Sequence, residues 1–501
     1  MRHPGERSHH KVIPSSSVFF WRPNNGQTEV FLARRRKTMR AFPGLWSGVG
    51  GKVTTADRSF LQESCSGGVG EELQVLKAAA VREVYEETGV LLARKALVHP
   101  IANPREVELT DLGLVCKDYL WDWLVPAGQR VTPKFGPLIF DTQFFLSKVP
   151  PGQSPMVGED HPEFDAGKWL PAQEWVDAFD KQVHQIVPPV LDVVRAVAST
   201  PTVLSAAQTL ESTNHLPPGL QCSVEAHPGI QVLPLDSSTL PPASTTNTVV
   251  IGRGKILVVD PGSPDQGEQE LLTQVVRGMV GRGGTVVGVV LTHGHKDHWE
   301  GLEAFQKEWQ VPTYVHPHFH PRLTGPLPDI EPLVDGQRFD LGWDDRSGKE
   351  WVVQVVETGG HVTGHVCLID MRFNALVAGD FVSGAGTVLV EDMGAYLSGL
   401  RRLLSLGVGV VIPGHGPVRH DGHELLTNYL NHRIARLDQI FDVIASASGG
   451  TTVAEITDKV YSDVAESYRS LAKQQVLTNL RYLTQAGEVR QEGSIYFLPS
   501  S

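Results

Sequence analysis

Runs of apolar and β-branched residues, separated by polar turns, recur along most of the chain. In the first part of the chain, segments 16–21, 30–35 and 140–149 predict strands. A helical pattern covers about 71–88, between the second and third of these strands. This part of the chain is therefore predicted to be a mixed α/β domain.

A second series of apolar runs alternates with helical segments, a pattern typical of an α/β sandwich. These runs cover 286–292, 351–358, 375–382 and 408–416. From about residue 424 the chain is mainly helical and ends in two short strands around a glycine turn, which resembles a winged helix.

These patterns divide the 501 residues into several domains, as the length allows. Residues 198–248 are rich in Ser, Thr and Pro, which favours a linker followed by the opening strands of a new domain. We predict a first domain over 14–190, a linker over 191–224, a second domain over 225–423 and a tail over 424–501.

Composition favours a folded protein without a membrane partner, because 41% of the residues are hydrophobic and no run of about 18 apolar residues occurs. The net charge of −12 argues against a chain that coats nucleic acid. Cys65, Cys116, Cys222 and Cys367 lack CxxC spacing, which argues against a disulfide scaffold and favours a reducing compartment. We therefore expect a cytoplasmic protein, with an organelle as the alternative.

The strongest chemical signal is a cluster of metal-ligand side chains directly after the run 286–292. Residues 292–298 are THGHKDH, so four candidate ligands fall within six residues at the end of a predicted strand. Imidazole and carboxylate groups suit zinc and similar ions. A polar surface turn is the alternative, but TGGH at 358–361, GD at 379–380 and PGHG at 413–416 also place His or Asp after apolar runs.

These four segments together resemble the metallo-β-lactamase superfamily over about residues 225–420. The resemblance implies an αββα sandwich that holds two Zn²⁺ and carries out hydrolysis. The resemblance assigns His293, His295 and His361 to one ion. It assigns Asp297, His298 and His415 to the other ion, and Asp380 to both.

Three residues have further candidate roles. Asp297 is the candidate catalytic residue, since a carboxylate beside the attacking water can transfer a proton to the leaving group. Asp260 resembles the superfamily's buried aspartate that orients a ligand histidine. His365 is a supporting, substrate-facing or plain surface histidine.

The tail resembles that of the β-lactamase-like protein 2 group, which implies cleavage of single-stranded RNA, whereas the glyoxalase II branch implies thioester hydrolysis. Residues 451–501 contain five Lys or Arg and six Asp or Glu, although phosphate binding normally needs a basic face. A wall of the substrate groove and a homodimer contact are therefore alternatives for the tail.

The second signal is the string REVYEETGV at 82–90. On a helix, Glu83, Glu86 and Glu87 lie on one face and can converge on hard divalent cations. Arg82 can pair with Glu86, and Gly89 can end the helix. A solvated acidic helix face is the alternative.

Together with the glycine-rich stretch around Gly51, this string resembles the Nudix box over about residues 14–185. The resemblance implies an α/β/α sandwich that holds Mg²⁺ or Mn²⁺ against a diphosphate. Gly51 lies 31 residues before Arg82, and Gln74 stands where a glutamate is usual. Glu71 or Glu72 is the candidate replacement. The inserted box resembles the branch that cleaves coenzyme A and related diphosphates.

We therefore predict a fusion of Nudix-like, metallo-β-lactamase-like and winged-helix-like domains. The expected function is metal-dependent hydrolysis of a phosphodiester in single-stranded RNA or of a small-molecule thioester, with a first domain that cleaves or binds organic diphosphates. The alternative is a ligand-binding scaffold whose first domain only senses a nucleotide or coenzyme A.

Overall fold

A computed structural model describes residues 12–65, 72–95, 107–133, 138–213, 224–319, 329–384 and 387–499. The chain forms two compact units, residues 1–228 with 345–348 and residues 229–344 with 349–501. The second unit begins four residues after the predicted start of the second domain.

The first unit is built on a mixed sheet. Its strands are β1 (Val12–Asn24), β2 (Gln27–Arg35), β3 (Trp46–Ser47), β4 (Val125–Val131), β5 (Ile139–Lys148) and β6 (Phe164–Pro171), and β7 (Val224–His227) follows later in the chain. The six-stranded sheet has the order β3-β2-β1-β5-β4, and β6 pairs with β2. β1 is parallel to β5 and antiparallel to β2.

Helices cover both faces of this sheet. They are α1 (Thr55–Ser64), α2 (Glu72–Thr88), α3 (Ala172–Asp180), α4 (Pro188–Ser199) and α5 (Val203–Ser212). Successive residues of a strand point to opposite faces. Accordingly, Val18 packs in the core that contains α1 and α2, whereas Phe19 packs in the core that contains α3, α4 and α5. The predicted α/β/α layering is confirmed.

The predicted linker over 191–224 differs from the structure, because residues 191–212 are mostly helical. Leu191, Val194 and Leu210 are buried in the core on one face of the sheet. Thr202 accepts a hydrogen bond from the backbone N–H of Ser205 and so caps α5. Some of the Ser and Thr residues that suggested a linker are therefore helix caps; residues 214–223 lie outside the described part of the chain.

Cys65 and Cys116 form a disulfide across a sequence separation of 51 residues. Cys367 is a buried free thiol, and Cys222 lies outside the described residues. The pairing is set by tertiary contacts, which cysteine spacing does not report. Because two of the four cysteines are paired, the cysteines no longer favour a reducing compartment.

Two sheets form the centre of the second unit. One contains β8 (Ile230–Asp236), β9 (Thr245–Gly252), β10 (Lys255–Val259), β11 (Thr285–Val290), β12 (Thr313–Val315) and β13 (Ile330–Pro332), in the order β13-β12-β11-β10-β9-β8. The other contains β14 (Arg338–Asp344), β15 (Lys349–Glu357), β16 (Val366–Asp370), β17 (Ala375–Gly379) and β18 (Val410–Pro413), in chain order. The neighbours β10 and β11 are parallel, as are β17 and β18.

The second unit also contains α6 (Gln266–Val280), α7 (Leu302–Trp309) and α8 (Met393–Ser405), followed by the tail. The tail comprises α9 (Gly422–Ala445), β19 (Thr451–Thr452), α10 (Val453–Val460), α11 (Arg469–Gln485), β20 (Arg490–Glu492) and β21 (Ile495–Phe497). Three helices with a small sheet of order β19-β21-β20 confirm the winged-helix prediction. Ile440 and Leu480 of the tail share a core with Leu400 of α8.

Within the described ranges, no helix combines the length and the apolar character needed to cross a membrane.

The disulfide between Cys65 and Cys116 should stabilise the first unit. Closing a loop of 51 residues restricts the unfolded chain and stabilises the folded one by about 4 kcal/mol in the chain-entropy model. We expect a thiol reductant to lower the unfolding temperature of the full chain in calorimetry. A Cys65→Ala/Cys116→Ala variant serves as control, since its transition should be low already and unaffected by reductant. An unchanged transition in the native chain on adding reductant would contradict the pairing.

Candidate metal centre

The predicted ligands lie where strands of the second unit end. Residues 292–298 follow β11, and Asp260 follows its parallel neighbour β10. His361 lies in the turn after β15. Asp380 and His415 follow the parallel neighbours β17 and β18. Because parallel neighbours end at the same edge of a sheet, each pair of strands delivers polar side chains to one place.

Asp380 lies between two groups of ligand side chains. Its Oδ2 is 3.8 Å from the Nε2 atoms of both His293 and His361. Its Oδ1 is 3.3 Å from His298 Nε2 and 3.2 Å from His415 Nε2. The two oxygens of one carboxylate therefore face different sets of histidines.

The side chains form two groups in which the ligand atoms lie within 4.8 Å of one another. The first contains His293, His295, His361 and Asp380, and the second contains Asp297, His298 and His415. The structure therefore brings all seven predicted ligands into two neighbouring groups, with Asp380 counted in the first of them.

Most of the histidines are anchored through the ring nitrogen that faces away from the centre. The carbonyl oxygens of Leu389 and Thr245 accept hydrogen bonds from His361 Nδ1 (2.7 Å) and His415 Nδ1 (2.8 Å), respectively. Because a carbonyl only accepts, Nδ1 carries the proton in both rings. Each Nε2 therefore presents its lone pair to the centre when the ring is neutral.

Asp260 anchors the segment after β11, as predicted. Its carboxylate accepts hydrogen bonds from Thr292 N (2.8 Å), Thr292 Oγ1 (2.6 Å) and His298 Nδ1 (2.8 Å). Because the Thr292 hydroxyl donates to Asp260, its oxygen is left to accept from His293 Nδ1 at 3.0 Å. One buried carboxylate thus orients two histidines, one in each group.

Burial determines the charge of the first group. It lowers the pKa of His293 well below its usual range and that of His361 to about 4. It also lowers the pKa of His295. All three rings are therefore neutral near pH 7 and keep a nitrogen lone pair for a cation.

The second group holds positive charge next to Asp380. Burial alone would lower the pKa of His415, but its close contacts with the carboxylates of Asp297 and Asp380 raise it to about 9. Burial alone would raise the pKa of Asp380, but the charge of His298 and its contact with His415 hold it well below its usual range. A metal ion here would take the place of protons on the histidines.

The donor set and the space at the centre fit divalent metal ions. Within the described chain, His298 Nε2 and Asp380 Oδ1 are buried and have no hydrogen-bond partner of suitable geometry, although they lie 3.3 Å apart. Buried polar atoms without partners are costly, and a shared cation would satisfy both. A Cβ at Gly414 would collide with Asp380 Oδ1, so glycine leaves room for the carboxylate.

His365 is buried, which excludes the surface alternative. Its Nδ1 lies 3.0 Å from Thr358 Oγ1, and its side chain is fully buried. Sequence reasoning missed the roles of Thr245, Leu389 and Gly414. The PGHG pattern could have indicated the role of Gly414. Thr245 and Leu389 act through backbone carbonyls, which every residue type has, so the sequence could not indicate their roles.

In the first unit, the glutamates of α2 lie against the glycine-rich loop. Glu87 Oε2 accepts a hydrogen bond from Gly50 N at 2.7 Å. A Cβ at Gly51 would lie 2.5 Å from Glu83 Oε1, so this close approach requires glycine. Gly89 follows the helix with a φ of +72°, as expected for a C′ glycine. Among the described residues, the α2 glutamates do not form a group of ligand atoms within 4.8 Å.

Arg82 orders this helix face through more than the predicted pair. It lies 3.0 Å from Glu83 Oε1, and its distances to Glu86 Oε1 and Oε2 are 3.3 and 3.2 Å. It also donates to both oxygens of the buried Asp57, at 2.8 and 3.1 Å. Asp57 lies on α1, within the insertion, and is a carboxylate partner of Arg82 that sequence reasoning did not identify.

Glu72, the one proposed replacement that the structure describes, has a different partner. Glu72 forms a salt bridge with the half-exposed Arg58 at 3.0 Å, and Glu71 lies outside the described residues.

Burial raises the pKa of all three glutamates despite the nearby Arg82. The pKa of Glu86 rises to about 7, that of Glu87 rises well above its usual range, and that of Glu83 is also raised. A bound cation would stabilise the ionised form of these three neighbouring carboxyl groups.

Two protein-family matches fall within the second unit. Residues 241–415 match the Metallo-beta-lactamase superfamily, and residues 452–496 match the Beta-lactamase associated winged helix domain.

Curated relatives share 27–28% of their residues with this chain in the matched regions. They include lactamase-like protein adaB of Aspergillus niger (28% identity; 44% of this chain and 69% of the relative covered). The Beta-lactamase-like protein 2 homolog of Caenorhabditis elegans matches at 28% identity, with 49% and 80% covered. Atrochrysone carboxyl ACP thioesterase of Aspergillus fumigatus matches at 27%, with 48% and 78% covered.

Two solved structures resemble parts of the chain. A metallo-beta-lactamase family protein from Thermus thermophilus is 22% identical, with 54% of this chain and 99% of that chain covered and a TM-score of 0.42. A NUDIX hydrolase from Alicyclobacillus acidocaldarius is 25% identical, with 41% and 99% covered and a TM-score of 0.33.

The two layered sheets, the ligand positions at strand ends and the two family matches lead to one conclusion. The chain carries a domain of the metallo-β-lactamase fold, followed by a winged-helix tail.

Proposed function

We propose that the second unit is a metal-dependent hydrolase that cleaves acyl thioesters. The observation that carries the proposal is the position of Asp380, whose two oxygens lie 3.2–3.8 Å from histidines of two separate groups. Such a carboxylate is suited to bridge two ions, which we propose to be Zn²⁺ because imidazole and carboxylate ligands favour it.

The seven predicted ligands would hold these ions. When bound, two such ions supply an activated water and stabilise the negative charge that develops on the attacked carbonyl oxygen. The chain itself supplies Asp297. Burial alone would raise the pKa of Asp297, but the hydrogen bond with His415 lowers it, so the group is ionised near pH 7.

Asp297 has the position of a proton carrier. Its Oδ2 lies 3.3 Å from His415 Nε2, and 13% of its side chain remains exposed. In thioester hydrolysis, water adds to the carbonyl carbon and the C–S bond breaks. We infer that Asp297 accepts the proton of the water at Oδ2 and passes it to the leaving sulfur, which completes the balance.

Two observations favour a thioester over single-stranded RNA. The relatives include proteins named as thioesterases, one from Aspergillus fumigatus and pkgB from Emericella nidulans. In addition, residues 451–501 carry five basic and six acidic residues, so the end of the tail supplies no excess of positive charge for a phosphate backbone. The RNA alternative rests on the similarity to the Beta-lactamase-like protein 2 homolog.

The first test concerns metal content. We expect the purified full chain to hold about two divalent ions, as measured by mass spectrometry of the elements. Asp380→Asn should lose them, because the amide removes the charge that both groups share. Asp340→Asn, which changes an aspartate that is 74% exposed in the same unit, should keep both. A native chain without bound ions would contradict the proposal.

The second test is a parallel substrate screen of the full chain with an acyl-coenzyme A, single-stranded RNA and a β-lactam. We expect thioester cleavage, and His293→Ala should lower it by at least about 100-fold, since several kcal/mol of charge stabilisation depend on the ions. His423→Ala, at an exposed position on α9, should remain active. Cleavage of RNA without cleavage of the thioester would sink the thioester assignment.

For the first unit, we propose that Glu83, Glu86 and Glu87 hold Mg²⁺ or Mn²⁺ against the diphosphate of a nucleotide or coenzyme A derivative. Support comes from the close approach of Glu83 to Gly51 and from the raised pKa values of all three carboxyls. Metal ions would offset the cost of ionising one buried and two partly buried acids side by side.

Calorimetric titration of the full chain with coenzyme A and Mg²⁺, beside an assay for released phosphate products, tests this proposal. We expect Mg²⁺-dependent binding that Glu83→Gln weakens and that Glu174→Gln, at an exposed position on α3, leaves unchanged. Turnover would identify a diphosphate hydrolase, and binding without turnover would identify a sensing scaffold. Absence of binding would contradict both forms of the proposal.

A further inference from the structure

The segment 388–390 supports one ligand histidine of the first group. The carbonyl oxygen of Leu389 accepts the hydrogen bond from His361 Nδ1 at 2.7 Å. This bond sets both the orientation and the tautomer of the His361 ring. Any displacement of the Leu389 carbonyl would therefore turn His361 Nε2 away from Asp380.

Two residues of the winged-helix tail hold the peptide groups on either side of Leu389. Gln475 of α11 accepts from Val390 N at 3.2 Å and donates to Val390 O at 3.1 Å. Arg433 of α9 donates from Nη2 to Val388 O at 2.6 Å. Gln475 and Arg433 are buried, so water does not compete for these bonds.

The same segment is also tied to the turn that carries His361. The backbone N–H groups of Glu391 and Asp392 both donate to Gly360 O, at 2.7 and 3.0 Å. The segment therefore connects α9 and α11 on one side with the His361 turn on the other.

The histidines of the second group have other supports. His298 Nδ1 bonds to Asp260 and His415 Nδ1 bonds to the Thr245 carbonyl, and neither partner belongs to the tail. A change at Gln475 or Arg433 should therefore act on one group more than on the other.

We propose that the winged-helix tail sets the geometry of the first metal group, with Gln475 and Arg433 as positioning residues that hold the Leu389 carbonyl on His361. This inference rests on the proposed metal site and gives the tail a role in building it. Neither residue touches the predicted ligands, so both act through the segment 388–390.

The test is a titration of metal-stripped full chain with Zn²⁺ in competition with a chelator, which yields two dissociation constants. His361→Ala identifies the constant of the first group, and His415→Ala identifies that of the second. We expect Gln475→Ala to weaken the first constant about 10–100-fold, the usual effect of losing a supporting partner, and to leave the second within about threefold.

Asn479→Ala is the matched control. Asn479 is a buried amide one turn farther along α11, and it bonds to the Gln475 carbonyl rather than to the segment 388–390. We expect it to lower the unfolding temperature while both Zn²⁺ constants stay native. If Asn479→Ala and Gln475→Ala weaken both constants equally, the tail supports only the fold, and the inference is overturned.

Arg433 offers an independent route if Gln475→Ala does not fold. Arg433→Met removes the donor to Val388 O and should weaken the first constant, whereas Arg433→Lys keeps a donor and should recover most of the affinity. In addition, Gln475→Ala should cause no further loss in a His361→Ala background, since the residue acts through His361.

The outcomes separate this inference from the proposed function. A native chain that binds no Zn²⁺ overturns the proposed function. A native chain that binds two ions, with native constants in both Gln475→Ala and Arg433→Met, overturns only the role of the tail.

Discussion

The Asp380 carboxylate lies between two sets of histidine rings with 15% of its side chain exposed, and a negative charge so far removed from water is stable only where positive charge lies beside it. The surrounding structure meets this requirement at both oxygens. Parallel strands end at the same edge and bring His415 next to Asp380, and Gly414 leaves space for the carboxylate. Carbonyls of Leu389 and Thr245, together with the Asp260 carboxylate, fix the histidines from behind. Residues from several elements of the second unit therefore hold the Asp380 carboxylate and the histidines around it in place.

The candidate metal centre could be predicted from the sequence because its candidate ligands follow apolar runs. Each of the four motifs comes after an apolar run, and these runs are strands whose ends are fixed by the sheet. The same periodicity predicted a mixed α/β first domain and an α/β sandwich in the second, and the family resemblances implied the order of their layers. The glutamate helix was predicted over 71–88 and spans Glu72–Thr88, because Gly89 marks its end.

Other features could not be predicted, since they depend on contacts between distant residues. Asp57 partners Arg82 from a helix inside an insertion, and nothing in its local sequence distinguishes it from the neighbouring acids. The disulfide joins cysteines without characteristic spacing. Helix α5 lies in a segment whose Ser and Thr content suggested a linker. Nothing in the sequence around Gln475 distinguishes it from other helical glutamines. Only the fold places it against Val390, next to the Leu389 carbonyl that holds His361.

We propose that Asp380 would hold two metal ions between the two groups of histidines. Anomalous diffraction from crystals of the full chain, recorded at the zinc absorption edge, tests it most directly. We expect two peaks about 3.5–4 Å apart, one beside each carboxylate oxygen of Asp380. A single peak, or two peaks that do not share Asp380, would contradict it.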